Sequence, residues 1–278
     1  MSRSRSVIFG GGTMGSALAE QIVRARVVRR SDVTIIEHHV TRRRMLGKEG
    51  FAVVANSTPA VLNNARVVFL AVKPQDALPL LRSLRVYLDT GTLVISIMAG
   101  VSLRTLQRLL GHNRVVRCMP NLAATVGLGM TAWYASSSCS PADRSLVKKY
   151  FQAFGTELRV TSDDAIDRLT TVSGSGPGYL FAFARDYVSA VQALGFQKRD
   201  AEQLVKHVIV GAAELYRGSN LSADGLYSRV ASKRGTTAAA NDVLGKGRSA
   251  QLWKKALYAA YRRARSISQS LDRTSEQR

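Results

Sequence analysis

Three small groups of residues have types and spacings that could do chemistry: Gly10, Gly12 and Gly15 in "VIFGGGTMGSALAEQIV", the acid Glu37, and the Gly-Thr-Thr of "SKRGTT" at Gly235, Thr236 and Thr237. The glycines form a Gly-x-Gly-x-x-Gly pattern after an apolar strand and at the start of a helical pattern. A bare glycine triplet is only a turn, but in that context each glycine has a distinct role. Gly10 permits the tight turn, Gly12 lets the backbone approach a pyrophosphate, and Gly15 lets helix and strand pack closely. Thr13 and Met14 lie in the same loop, where a helix N-terminus attracts phosphates. Glu37 closes the next strand candidate, "VTIIE", 22 residues beyond Gly15. An acid there can accept hydrogen bonds from both adenosine ribose hydroxyls and repels the extra phosphate of NADPH, so it leans the choice toward NADH. His38, Arg42, Arg43 and Arg44 follow closely enough to offset part of that repulsion. The Gly-Thr-Thr stretch offers N–H groups and hydroxyls to a small ligand, with Lys233 and Arg234 directly before it.

Two further segments suit the ligand edge of a doubly wound sheet. "FLAVKPQ" places Ala71, Val72, Lys73 and Pro74 at the end of an apolar strand, either as a wall for a nicotinamide or simply as a strand stopped by proline. "SIMAGV" ends the following strand on the small residues Ala99 and Gly100. Cys118 and Cys139 lack the spacing of a zinc site or redox pair, and the four histidines form no ligand motif, so neither a metal nor a disulfide is expected.

The elements that must position these residues follow a clear rhythm. "VIFG", "VTIIE", "VVFLAV", "LVISIM", "VVRCM", "MTAWYA" and "ELRV" alternate with polar or helical segments, predicting an α/β fold with a Rossmann-type parallel sheet over residues 1–162. From residue 163 strand patterns stop, and "YLFAFARDYVSAVQAL", "AEQLVKHVIVGAAELY" and "LWKKALYAAYRRA" predict an all-helical second domain over 163–278. The helices around Phe181, Phe183 and Tyr187 are apolar on more than one face, more than a single exposed helix needs, which fits either an obligate interface or intrachain core. The terminal "SLDRTSEQR" is polar enough to fray.

With 278 residues and 46% hydrophobic content the chain can bury a sizeable core. Its longest apolar run stops at Lys73 and Pro74, short of a membrane span, and the N-terminus lacks the apolar core of a signal peptide, so a cytoplasmic protein is expected. The net charge of +21 raises nucleic acid as a partner, but the arginines are scattered through amphipathic segments without an aromatic-interleaved stripe, which argues against it.

Taken together, "GGGTMG", "FLAVKP", "ISIMAGVSL", "VVRCMPN", "VSGSGPGYLFAF" and "SKRGTT" resemble the pyrroline-5-carboxylate reductase family, in that family's order and at about its spacings, over nearly the whole chain. The resemblance implies a Rossmann domain followed by a helical dimerisation domain, a homodimer that can assemble into a ring of dimers, and NAD(P)H-dependent reduction of a cyclic imine acid to L-proline. It also implies site residues. The "RGTT" segment should open a helix whose first N–H groups, over residues 235–237, hold the substrate carboxylate. Thr236 and Thr237 match proline-contacting positions, with the Thr237 hydroxyl partnering the imine nitrogen and relaying the proton. Ser175 and Gly176, within "SGSGP", match a helix start facing the substrate, and Asp163 matches an acidic position near it in some relatives.

The chain departs from the family pattern near the substrate. Where relatives usually have Ser-Pro-Gly-Gly-Thr-Thr, this sequence has Lys233 and Arg234; Leu122 and Ala123 replace Thr and Pro after Asn121, and Gly178 replaces Ala. If position 234 requires positive φ, arginine there costs on the order of 1 kcal/mol relative to glycine. The departures leave two alternatives open, a reductase of another cyclic imine acid or a non-catalytic dinucleotide-binding relative.

Overall fold

A computed structural model describes residues 5–57, 59–63 and 65–276; the first four residues of the basic N-terminus and the last two of the polar tail lie outside them. The chain forms two compact units, Met1–Ser175 with Ala260–Arg278, and Gly176–Ala259.

In chain order the first unit contains β1 (Arg5–Phe9), α1 (Thr13–Arg24), β2 (Val33–Ile36), α2 (Val40–Lys48), β3 (Ala52–Val54), α3 (Pro59–Leu62), β4 (Ala65–Leu70), α4 (Ala77–Leu84), β5 (Leu93–Ser96), α5 (Leu103–Leu110), β6 (Val115–Met119), β7 (Gly129–Ala135), α6 (Pro141–Gln152), β8 (Gly155–Arg159) and α7 (Asp163–Leu169). The strands make one sheet of order β3-β2-β1-β4-β5-β6-β7-β8. Every pairing is parallel except β6 with β7. The expected parallel sheet is therefore interrupted by one antiparallel pair, and β3 is a strand that the apolar pattern did not announce.

Both faces of the sheet are covered, which is why its central strands read as nearly continuous apolar runs. Ile8, Ile35, Phe69, Ile95 and Val116 pack with Leu18 and Ile22 of α1 and Tyr150 and Phe151 of α6 on one side. Val7, Phe9, Val68, Leu70 and Val94 pack with Leu81 of α4 and Leu106 of α5 on the other. Between β1 and β4 the chain's winding reverses, and ligands of such sheets gather where the loops diverge at that point.

The second unit consists of α8 (Gly176–Ala193), α9 (Lys198–Gly218), α10 (Ala223–Val230), α11 (Thr236–Lys246) and the start of α12 (Ser249–Glu276). Its buried core is small, Val191, Ala201 and Val205. Large apolar side chains instead face outward: Phe181 is 64% exposed, Phe183 53% and Trp253 49%. Apolar side chains exposed in this way mark an interaction surface or a binding groove.

From Ala260 onward α12 belongs to the first unit. The tail expected to fray is helical to Glu276 and tied down. Asp272 accepts from the hydroxyls of Ser102 (2.7 Å) and Thr105 (2.5 Å), and Arg108 donates to the Ser275 carbonyl at 2.8 Å. No helix among the described residues is long and apolar enough to cross a membrane.

Candidate active site

The glycine loop joins β1 to α1 and is shaped by close approaches. Gly10 has φ +98°, and a Cβ on it would lie 2.6 Å from the Ala71 carbonyl oxygen. A Cβ on Gly15 would stand 1.9 Å from the carbonyl oxygen of Gly10, so helix and loop touch only because residue 15 has no side chain. A Cβ on Gly12 would meet nothing within 4 Å; that face is open. Gly12 is also the N-cap of α1 and supplies no side chain, so the first N–H groups of the helix, including those of Thr13 and Met14, are free to meet an anion. An open cleft of about 760 Å³ borders this loop, lined by Gly11, Gly12, Thr13, Ser16, Arg42 and Thr125 among others. A glycine cradle, an uncapped helix and an adjoining cleft fit the pyrophosphate of a dinucleotide.

Glu37 lies beside the cradle but is buried, with its side chain 5% exposed. Its Oε2 accepts from the Gly11 N–H and from Arg42, both at 3.0 Å, and its Oε1 from the His39 N–H at 2.8 Å. Burial alone would raise its pKa, but the hydrogen bonds from His39, Arg42 and Gly11 together outweigh it and hold the carboxyl below its ordinary value. Gly11 thus joins the site as a residue the x positions of the motif did not single out. Its signal was the unbroken glycine triplet, since a Cβ on Gly11 would sit 2.6 Å from Leu46 Cδ1.

At the next two strand ends, Ala71 extends the ladder by donating to the Phe9 carbonyl at 2.8 Å, beneath the glycine loop. Val72 is half-buried and Lys73 exposed, and Pro74 opens a single 3₁₀ turn. Ala99 is half-buried. Gly100, at φ +77°, is buried; its missing Cβ makes room for Ile267, whose Cγ2 would lie 2.6 Å away, and Leu271, so its small size serves the packing of α12.

Asp163 is engaged in a buried ion-pair cluster that sequence reasoning missed. Arg117 of β6, 2% exposed, bridges Asp163 and Asp167, each at 2.6 Å. Asp163 Oδ1 also accepts from the Leu103 N–H at 3.0 Å, and the Ser268 hydroxyl donates to Asp167 at 3.2 Å. Asp163 thereby anchors α7 to β6. The available signal was a lone arginine inside the apolar strand "VVRCM".

Beyond α7 the chain makes one π-helical turn, Thr170–Gly174, closed by the Ser175 N–H on the Thr170 carbonyl at 2.9 Å. Such turns are rare and often occur at functional sites. Asn121 ties this turn to β7: its amide donates to the Ser173 hydroxyl at 3.3 Å and its oxygen accepts from the Met130 N–H at 3.2 Å. Ser175 ends the first unit and Gly176, with open space around a would-be Cβ, begins the second.

In the second unit, residues 232–235 form a turn closed by the Gly235 N–H on the Ser232 carbonyl at 3.0 Å. Arg234 occupies the third position at φ +62°, the place where a type II turn calls for glycine after proline. Here Lys233 and Arg234 stand in those positions, and Arg234 takes the left-handed φ itself. Gly235 is the N-cap of α11 and contributes no capping side chain. The N–H groups of Thr236 and Thr237 are therefore free at the helix start, and Thr237 is half-buried.

Residues 163–267 match the family described as pyrroline-5-carboxylate reductase dimerisation, and residues 5–100 match one described as NADP oxidoreductase, coenzyme F420-dependent. Among individual relatives, pyrroline-5-carboxylate reductase of Synechocystis is 33% identical over 94% of this chain and 97% of its own. That of Pseudomonas aeruginosa is 31% identical over 98% and 99%. The solved structure of a pyrroline-5-carboxylate reductase from Coxiella burnetii superposes with a TM-score of 0.87 at 30% identity, covering 95% of this chain and 98% of that one. Likeness of this extent, running through both the glycine cradle and the 232–237 turn, makes the chain a member of the pyrroline-5-carboxylate reductase family.

Proposed function

We propose that the protein reduces 1-pyrroline-5-carboxylate to L-proline, consuming one NAD(P)H and one proton and releasing NAD(P)+. The observation that most supports this is that the two family matches cover, respectively, the glycine cradle and the turn ahead of α11. A reduced dinucleotide held through its pyrophosphate at the cradle would supply the hydride that the imine carbon gains.

The chain's own residues bind and orient. Gly10, Gly12 and Gly15 let the backbone approach the pyrophosphate, with the N–H groups of Thr13 and Met14 facing its charge. Residues 71–74 and Ala99 border the nicotinamide end. The free N–H groups of Thr236 and Thr237 hold the substrate carboxylate, since a helix N-terminus favours an anion, while the Gly235 N–H, engaged by the Ser232 carbonyl, shapes the turn before them. The Thr237 hydroxyl donates to the ring nitrogen and relays the proton that the nitrogen gains. Ser175 and Gly176 leave room for the substrate beside them. Residues 163–278 carry dimerisation, and a second copy covers the apolar side chains that the second unit exposes, Phe181 and Phe183 among them. Assembly beyond the dimer into a ring, and a cytoplasmic location, belong to the same reading.

The test uses purified protein, 1-pyrroline-5-carboxylate and either reduced cofactor, followed by loss of nicotinamide absorbance. Oxidation that depends on the imine is expected. Tight binding of cofactor with no oxidation would contradict the reading.

A further inference from the structure

An acid at the end of the second strand ordinarily serves to accept the adenosine ribose hydroxyls, but Glu37 is already engaged. A carboxylate offers about four lone-pair sites; the Gly11 N–H, Arg42 and the His39 N–H use three of them, and the group is buried. For a ribose diol to reach it, Arg42 must leave.

Arg42 itself is differently placed. One of its guanidinium nitrogens donates to Glu37, while the side chain is 41% exposed and borders the cleft together with Gly11, Gly12 and Thr13. A guanidinium carries five donors in a planar fork, so it can hold a carboxylate on one edge and a phosphate on the other. The cleft it borders also carries Arg30, Glu20 and Glu49, with Arg30 paired to Glu20 at 3.0 Å. Arg43 donates to the carbonyls of Glu37 (3.0 Å) and His38 (2.6 Å), neutral acceptors that leave its charge uncompensated, and Arg44 is exposed. Of the three, Arg42 is the one that reaches the Glu37 carboxylate. The helix they start, α2, has no side-chain cap at His39 and no acid in its first turn, which leaves its dipole open to a further anion.

We propose that Arg42 determines cofactor choice: by neutralising Glu37 and presenting its remaining donors to a ribose 2′-phosphate, it makes the protein take NADPH in preference to NADH. The inference rests on the nicotinamide-dependent reading of the site and adds to it which dinucleotide is used. It reverses the lean toward NADH that Glu37 carries in the sequence, because that lean presumes a carboxylate free to receive the ribose.

The experiment is calorimetric titration of the full-length protein with NADPH and with NADH, without substrate, for the wild type, Arg42→Gln and Arg42→Lys. The wild type should bind NADPH about tenfold or more tighter than NADH, in line with the loss of a charge-assisted phosphate contact. Arg42→Gln should weaken NADPH by about that factor and change NADH by less than about threefold; Arg42→Lys, which keeps the charge but not the fork, should fall between. Equal affinities in the wild type, a preference for NADH, or equal weakening of both cofactors in Arg42→Gln would overturn the proposal. Its fate is separable from that of the reductase reading: protein that fails to turn over 1-pyrroline-5-carboxylate yet shows an NADPH preference lost in Arg42→Gln would refute the activity and leave the role of Arg42 standing.

Discussion

Replacing Arg117 with methionine removes the guanidinium that pairs with Asp163 and Asp167 inside the first unit. Arg117 is 2% exposed, Asp167 9% and Asp163 32%. After the substitution Asp167 keeps only the Ser268 hydroxyl and Asp163 only the Leu103 N–H among the partners described above. Breaking a buried pair by deleting one partner leaves an uncompensated charge and costs about 3–5 kcal/mol. At roughly 2–4 °C per kcal/mol for a unit of this size, the melting temperature should fall by about 6–20 °C. The individual acids should rank below it. Asp167→Asn removes the more buried charge and should cost about 2 kcal/mol, whereas Asp163→Asn, discounted for its exposure and still able to accept through its amide oxygen, should cost about 1 kcal/mol or less. Combining Arg117→Met with Asp167→Leu should recover much of the loss, because an apolar replacement of a whole buried pair is often close to neutral. Thermal melts followed by circular dichroism supply all four numbers. If Arg117→Met is neutral, or if Asp163→Asn costs as much as Arg117→Met, the cluster does not hold α7 through charge pairing and the reasoning fails.

Other outcomes follow from single positions. Gly15→Ala drives a Cβ against the Gly10 carbonyl oxygen, 1.9 Å away, and should weaken dinucleotide binding about tenfold or more in calorimetry; wild-type affinity would contradict the cradle. Arg234→Gly relieves a left-handed penalty of about 1–2 kcal/mol but adds about 0.5–1 kcal/mol of unfolded-state entropy, so denaturant titration should show a gain of about 0.5 kcal/mol, and a loss above about 1 kcal/mol would refute the strain. Asp143 is pushed up by burial, yet its bonds from Arg114 and Ser140 outweigh that and leave its pKa lowered. A lowered folded-state value means that its stabilisation is complete above the unfolded value of about 3.9 and is lost as pH falls below it. Asp143→Asn should therefore flatten the decline of melting temperature below about pH 4, and an unchanged slope there would contradict the assignment.

The dinucleotide half was legible because its signals are local. Seven of the strands are short apolar runs, Gly10 and Gly15 are demanded by backbone contacts within one loop and the neighbouring Ala71, and Gly12 leaves the face between them open. β3 escaped notice because three residues, "AVV", are too few to show a period. The antiparallel β7 could not be told from its neighbours, since a strand buried on both faces has the same composition in either direction. Glu37 was visible as an acid at a strand end, but not its burial beneath Arg42, which depends on where α2 places a side chain five residues on. Arg117 and the docking of α12 after Ala260 were hidden for a related reason: periodicity reports that a helix or strand has a buried face, not which distant residues cover it. At the 232–235 turn the resemblance supplied the need for positive φ, and the backbone adopts it at Arg234.

The most direct test of imine reduction is to follow the hydride. With 1-pyrroline-5-carboxylate and NADPH deuterated at both C4 positions of the nicotinamide, the protein should yield L-proline carrying one deuterium on C5, the former imine carbon, with one cofactor oxidised per proline formed. Oxidation of the cofactor without labelled proline, or no conversion at all with either dinucleotide, would contradict the account.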